Sequence, residues 1–104
     1  MRIIETPIFT KEIIKLLSDD SYRLMQQELI LRPEAGALIK GSGGLRKIRW
    51  AESCKGKRGG IRIIYYYDPP ETIYMLYPYR KSAQKDLTVS QIKILKKIVK
   101  EYLL

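Results

Sequence analysis

The sequence predicts an α+β domain in which a strand and two helices precede three strands and a final helix. Three observations carry this: apolar residues at helical spacing between Phe9 and Leu29, a change to period two from Leu45 onward, and a marked helix start at Thr88. At 104 residues the chain can bury one modest core, so residues 1–104 are read as a single domain.

Arg2 to Glu5 is short, β-rich and ended by Thr6-Pro7. Phe9, Ile13, Leu16 and Leu17 then fall at i, i+4, i+7 and i+8, one stripe of a helix. Ser18 offers an N-cap, Asp19 and Asp20 supply first-turn negative charge, and Tyr22, Met25 and Leu29 share a face of the second helix before Arg32-Pro33 stops it. The two helices are expected to form an antiparallel hairpin. Ala35 to Gly44 reads as a loop, broken by four glycines.

From Leu45, Ile48 and Trp50 point one way and Lys47 and Arg49 the other, as a half-buried strand requires. Ile61 to Tyr67 and Thr72 to Tyr79 are the next two strands, antiparallel neighbours joined by the turn-forming Asp68-Pro69-Pro70-Glu71. Thr88 and Gln91 make a capping box, and Leu87 with Ile92 a hydrophobic staple. Ile92, Leu95, Val99 and Tyr102 form the apolar stripe of that helix, with lysines over much of the rest.

Composition narrows the chemistry. The chain has no histidine and one cysteine, Cys54, which removes the common zinc sites, imidazole proton shuttles, His-based triads and an internal disulfide. No cofactor is expected. The longest apolar candidate, Ile61 to Tyr67, is strand-length and interrupted by Arg62, so no membrane partner is expected. The N-terminus lacks the long apolar stretch and small-residue cleavage site of a signal peptide, which makes the cytoplasm the expected compartment.

Twenty Lys and Arg against 11 acidic residues give +9, the footprint of a nucleic-acid binder or of a basic partner for an acidic protein. The charge is concentrated. Between Lys40 and Arg62 eight basic residues face only Glu52, so seven of the nine net positive charges lie in 23 residues. The glycine-rich segment from Lys55 to Gly60 adds Lys57 and Arg58 and can bring backbone close to a phosphate, although no Walker motif is present.

RNA can be cut without a metal if the 2′-hydroxyl loses its proton, charge on the phosphorus oxygens is stabilised and the leaving oxygen is protonated. Guanidinium groups suit the middle task, and a lysine crowded by cations can serve in proton transfer. Lys47 and Arg49, with Arg62 across the strand pair, supply such a set. The bland reading of Lys47 and Arg49 is the wet face of an amphipathic strand; Arg62, between Ile61 and Ile63, is harder to explain in that way. Tyr65, Tyr66, Tyr67, Tyr74 and Tyr77 read as sheet packing. Tyr79, beside Arg80 and Lys81, is placed to stack on a base or donate a hydrogen bond. Cys54 lacks the histidine that thiol catalysis would use.

The runs Gly43-Gly44-Leu45-Arg46-Lys47-Ile48-Arg49, Lys55-Gly56-Lys57-Arg58-Gly59-Gly60-Ile61-Arg62-Ile63-Ile64-Tyr65-Tyr66 and Tyr79-Arg80-Lys81 together resemble RelE-type toxins of bacterial toxin-antitoxin modules, most closely the HigB branch. The likeness covers essentially the whole chain. It implies a small α+β domain with a four-stranded antiparallel sheet, ordered β-α-α-β-β-β-α, acting as an endoribonuclease on messenger RNA in the A site of the small ribosomal subunit. It also implies a cognate antitoxin with a helix-turn-helix domain.

Carried over by position, the family's basic pair falls on Lys47 and Arg49, its phosphate-binding arginine on Arg62, and the basic residue after the last strand on Arg80 or Lys81. Lys47 or Arg49 would assist 2′-hydroxyl activation, while Arg62 and Lys81 would stabilise transition-state charge. Lys55, Lys57, Arg58 and Tyr79 would contact RNA or the ribosome. One position departs: Leu87 stands where the family has a base-stacking tyrosine. Two other readings share the composition, a ParE-like gyrase poison and a non-catalytic RNA- or ribosome-binding protein. Retention of the basic set favours the nuclease over the first, and cut RNA would separate it from the second.

Overall fold

The structure is a computed structural model that describes residues 1–51 and 60–103. Strand β1 (Arg2–Glu5) passes into helix α1 (Pro7–Leu16) through Thr6, whose side-chain oxygen accepts from the Phe9 N–H at 3.1 Å and donates to the Leu76 carbonyl at 3.0 Å. One residue thus caps the helix and ties it to the sheet. Helix α2 (Asp19–Leu31) is capped by Ser18, with Asp19 and Asp20 in its positive first turn. The expected stripes are the buried ones: Phe9, Ile13 and Leu17 with Met25 and Leu29 pack on Ile63, Tyr65, Ile73 and Met75 of one sheet face.

The sheet has the order β1-β5-β4-β3-β2, with β2 spanning Ala37–Leu38, β3 Leu45–Trp50, β4 Ile61–Asp68 and β5 Thr72–Arg80. Strands β3, β4 and β5 are antiparallel neighbours, as the alternation predicts. The expected four-stranded, wholly antiparallel sheet is corrected in two respects. Strand β1 pairs parallel to β5, Ile3 opposite Ile73, and β2 adds a two-residue edge strand opposite Lys47 and Arg46. Alternation marks a segment as strand but says nothing of its partner or direction, and two residues are too few to show a period.

The β4–β5 ladder contains an irregularity that matters for the site. Ile64 lies opposite Tyr77 but Tyr65 lies opposite Met75, so Leu76 is an extra residue, a β-bulge. Before it, Ile73 and Met75 face α1 and α2 while Tyr74 faces away. After it the phase is inverted, and Tyr77 and Tyr79 join Tyr74 and Leu76 on the second face.

That second face is covered by α3 (Val89–Ile98), where both halves of the Thr88–Gln91 capping box form and Leu95 is buried. A π-helical turn, Val99–Leu103, follows. Here the expectation fails for Tyr102, which is 75% exposed while Leu103 packs on the core instead. A π turn takes more residues than an α turn, so each residue advances less far round the axis and the inward position moves on by one. Among the described residues, no helix is long and apolar enough to cross a membrane.

Candidate functional site

Strand register builds the site. Arg49 on β3 stands opposite Arg62 on β4, and Arg62 stands opposite Tyr79 on β5, so the three form one row across the second face of the sheet. Lys47, two residues before Arg49 and on the same face, begins the next row with Ile64 and Tyr77. Ile48 and Trp50 alternate to the first core, which fixes Lys47 and Arg49 on the other side.

Local backbone sets the register. Gly60, just before β4, has φ of +60°, and a Cβ there would lie 3.1 Å from the Trp50 carbonyl oxygen. A residue with a side chain would be strained on both counts. Gly60 also accepts the Lys81 N–H at 3.2 Å, which holds the start of β4 against the end of β5.

Burial is uneven along the row. Arg62 is only 8% exposed, unusual for a guanidinium, whereas Arg49 is exposed. Tyr79 is 4% exposed and its ring stacks against Tyr77, centroids 5.9 Å apart at 28°. The expectation that Tyr79 offers an open ring to a base is therefore corrected: the bulge turns it onto the face where α3 and Leu87 pack. Its other expected capacity, hydrogen bonding, remains, since its buried hydroxyl has no partner among the described residues. Burial, reinforced by the nearby Asp86 carboxylate and opposed by Arg62, pushes that hydroxyl above the ordinary tyrosine range.

Asp86 is the residue that the sequence reading missed. It lies in the segment between β5 and α3, and its Oδ1 accepts from Lys47 Nζ at 3.1 Å and from the Leu87 N–H at 3.1 Å. Its backbone carbonyl accepts from Gln84 Nε2 at 2.9 Å, and Gln84 in turn bonds Gln91 of the capping box. The hydrogen bond from Lys47 holds the Asp86 carboxyl below its usual value, and Arg62 acts in the same direction. No sequence signal singles it out, because its partner is 39 residues away.

The remaining expected residues divide. Arg80 ends β5, and alternation from Tyr79 sends it to the opposite face from Arg62. Lys81 begins the turn that follows and is exposed. Leu87 packs into the second core and supplies no aromatic ring. Lys55, Lys57 and Arg58 lie outside the described residues.

The site therefore brings together a half-buried ammonium, an exposed guanidinium, a buried guanidinium, a phenol and a carboxylate. Three cations on one face can hold and polarise a phosphodiester, and the two guanidinium groups can do so with paired hydrogen bonds. Among known families, the model for the RelE toxin of the RelE/RelB toxin-antitoxin system matches residues 1–104.

Proposed function

The chain belongs to the RelE toxin family, and on that premise we propose that it is a ribosome-dependent endoribonuclease of the HigB-like branch. It cleaves messenger RNA in the ribosomal A site, and an antitoxin of helix-turn-helix type neutralises it. Family membership makes the chain the toxin component of a toxin-antitoxin system, with an antitoxin as its partner.

The row Arg49–Arg62–Tyr79 with Lys47 beside it carries this reading. In the reaction the 2′-oxygen gives up its proton and bonds to phosphorus, and the bond from phosphorus to the 5′-oxygen breaks as that oxygen takes up a proton. Negative charge grows on the non-bridging oxygens between those events. Arg62, held almost without solvent, is suited to stabilise it, because a fixed guanidinium needs little reorganisation as the charge develops. Lys47 and Arg49 act on the 2′-oxygen side, Lys81 on the phosphate, and Tyr79 donates a hydrogen bond. Lys55, Lys57 and Arg58 hold RNA or ribosomal RNA by phosphate charge.

The test is to map 5′ ends of messenger RNA in a translating extract before and after addition of the protein. Cuts inside codons that appear only when ribosomes are present support the reading. Intact messages in an actively decoding extract, with growth arrest retained in cells, refute it and direct attention to a supercoiling assay with gyrase.

A further inference from the structure

We infer that in the free protein Asp86 occupies the place at Lys47 that a backbone phosphate of single-stranded RNA takes in the complex, so that its carboxylate is an internal competitor for the cationic face. This rests on reading that face as an RNA site.

The contact is built rather than incidental. The ion pairs Lys15–Glu12, Arg23–Asp20 and Arg32–Glu28 join residues one helical turn apart, whereas Lys47–Asp86 joins β3 to the segment before α3. Both the carboxylate and the backbone carbonyl of Asp86 are fixed, by Leu87 and Gln84, in a segment anchored by the capping box. A carboxylate and a phosphodiester offer the same recognition chemistry to an ammonium, a single negative charge spread over two oxygens. Joint occupancy of one lysine is disfavoured, since the two like charges repel.

The pair is also weak enough to yield. The Lys47 side chain is 31% exposed and that of Asp86 69%, and exposed pairs contribute little. RNA arriving at Lys47 then displaces a tethered carboxylate rather than a free counterion. Two effects follow. Affinity is lower than the cations alone would give, and the salt dependence is shallower by the contribution of one phosphate contact.

Binding of a single-stranded 2′-O-methyl RNA oligonucleotide, followed by fluorescence anisotropy over a range of KCl concentrations, reads both effects. The probe lacks the attacking hydroxyl, so the result does not depend on cleavage. Asp86→Asn keeps an oxygen to accept from the Leu87 N–H, and Asp86→Ser provides a second variant with such an acceptor. We expect binding tighter by about two- to fivefold, the range an exposed ion pair allows, and a plot of log affinity against log salt steeper by about 0.7. Glu28→Gln, which removes a carboxylate paired on α2, controls for net charge, and in a Lys47→Gln background the gain from Asp86→Asn should fall to the level of that control. Unchanged affinity and slope in both Asp86 variants, or a gain that persists undiminished without Lys47, overturns the inference. Tighter binding without cleavage in the extract would refute the nuclease reading and leave this one standing; cleavage without tighter binding would do the reverse.

Discussion

Arg62 and Tyr79 stand opposite each other across the β4–β5 ladder, both buried, on the sheet face that also presents Arg49. The guanidinium is placed there by simple alternation from Ile61 and Ile63. The phenol is placed there by the bulge at Leu76; were Leu76 paired in regular alternation instead, Tyr79 would face α1 and α2. Away from water the guanidinium's charge is felt at the phenol, where it opposes the upward push of burial.

Replacing Arg62 with alanine should lower cleavage by about 10²-fold or more, the usual cost of losing one donor that stabilises developing charge. Arg62→Lys keeps the charge but not the paired geometry and should fall between the two. Single-turnover cleavage in extract measures the effect, with thermal melting to show that each variant is folded. Wild-type rates in a folded Arg62→Ala protein would remove Arg62 from the mechanism.

Tyr79→Phe separates function from stability. A buried hydroxyl without a partner costs roughly 1 to 3 kcal/mol, so its removal should leave the protein as stable or more stable by about 1 kcal/mol. If the hydroxyl donates to RNA or to the leaving oxygen, cleavage should drop while the melting temperature holds or rises. A variant less stable than the parent would show that the hydroxyl is satisfied in solution.

Alkaline titration should show delayed ionisation of three tyrosines. Tyr22, Tyr65 and Tyr79 are raised above the ordinary value of 10.0, in each case first by burial, and for Tyr22 also by its hydrogen bond to Glu5. The unfolded chain therefore loses these protons before the folded one does. Their contribution to stability is complete below about pH 10 and declines as pH rises toward the folded-state values. Phenolate absorbance should lag for a subset of rings, and denaturation midpoints should fall as pH passes 10. Ionisation of these three at the ordinary value, below the unfolding transition, would contradict the burial.

Thr88→Ala removes the side-chain oxygen that accepts the Gln91 N–H at 3.0 Å and should cost about 1 kcal/mol, lowering the melting temperature by about 4 to 8 °C for a domain of this size. Thr88→Ser retains the acceptor and should recover most of the loss.

The strands and caps were legible because each is signalled within a few residues. Ile48 and Trp50 against Lys47 and Arg49 fix two faces, and Thr88 with Gln91 fixes a helix start. That Arg62 lies across the strand pair from Lys47 and Arg49 was legible too, from the adjacency of the two strands, but its pairing with Arg49 was not, because alternation leaves register open. What escaped depends on partners chosen in three dimensions. The direction of β1 is set by docking on β5, seventy residues later, and the inward residue of the last turn by a π-helical widening that moves Tyr102 out and Leu103 in. The fate of Tyr79 turned on a one-residue slip that no periodicity announces, and Asp86 reaches Lys47 only because α3 brings its leading segment across the sheet.

The bulge at Leu76 bears on how relatives should be aligned. A homologue lacking that single residue would keep Tyr77 opposite Ile64 and Tyr79 opposite Arg62 in an unbroken ladder, so the phenol would hold its place. An ungapped comparison from the start of the strand would set that homologue's counterpart of Arg80 against Tyr79 and report a cation where the fold keeps a neutral donor.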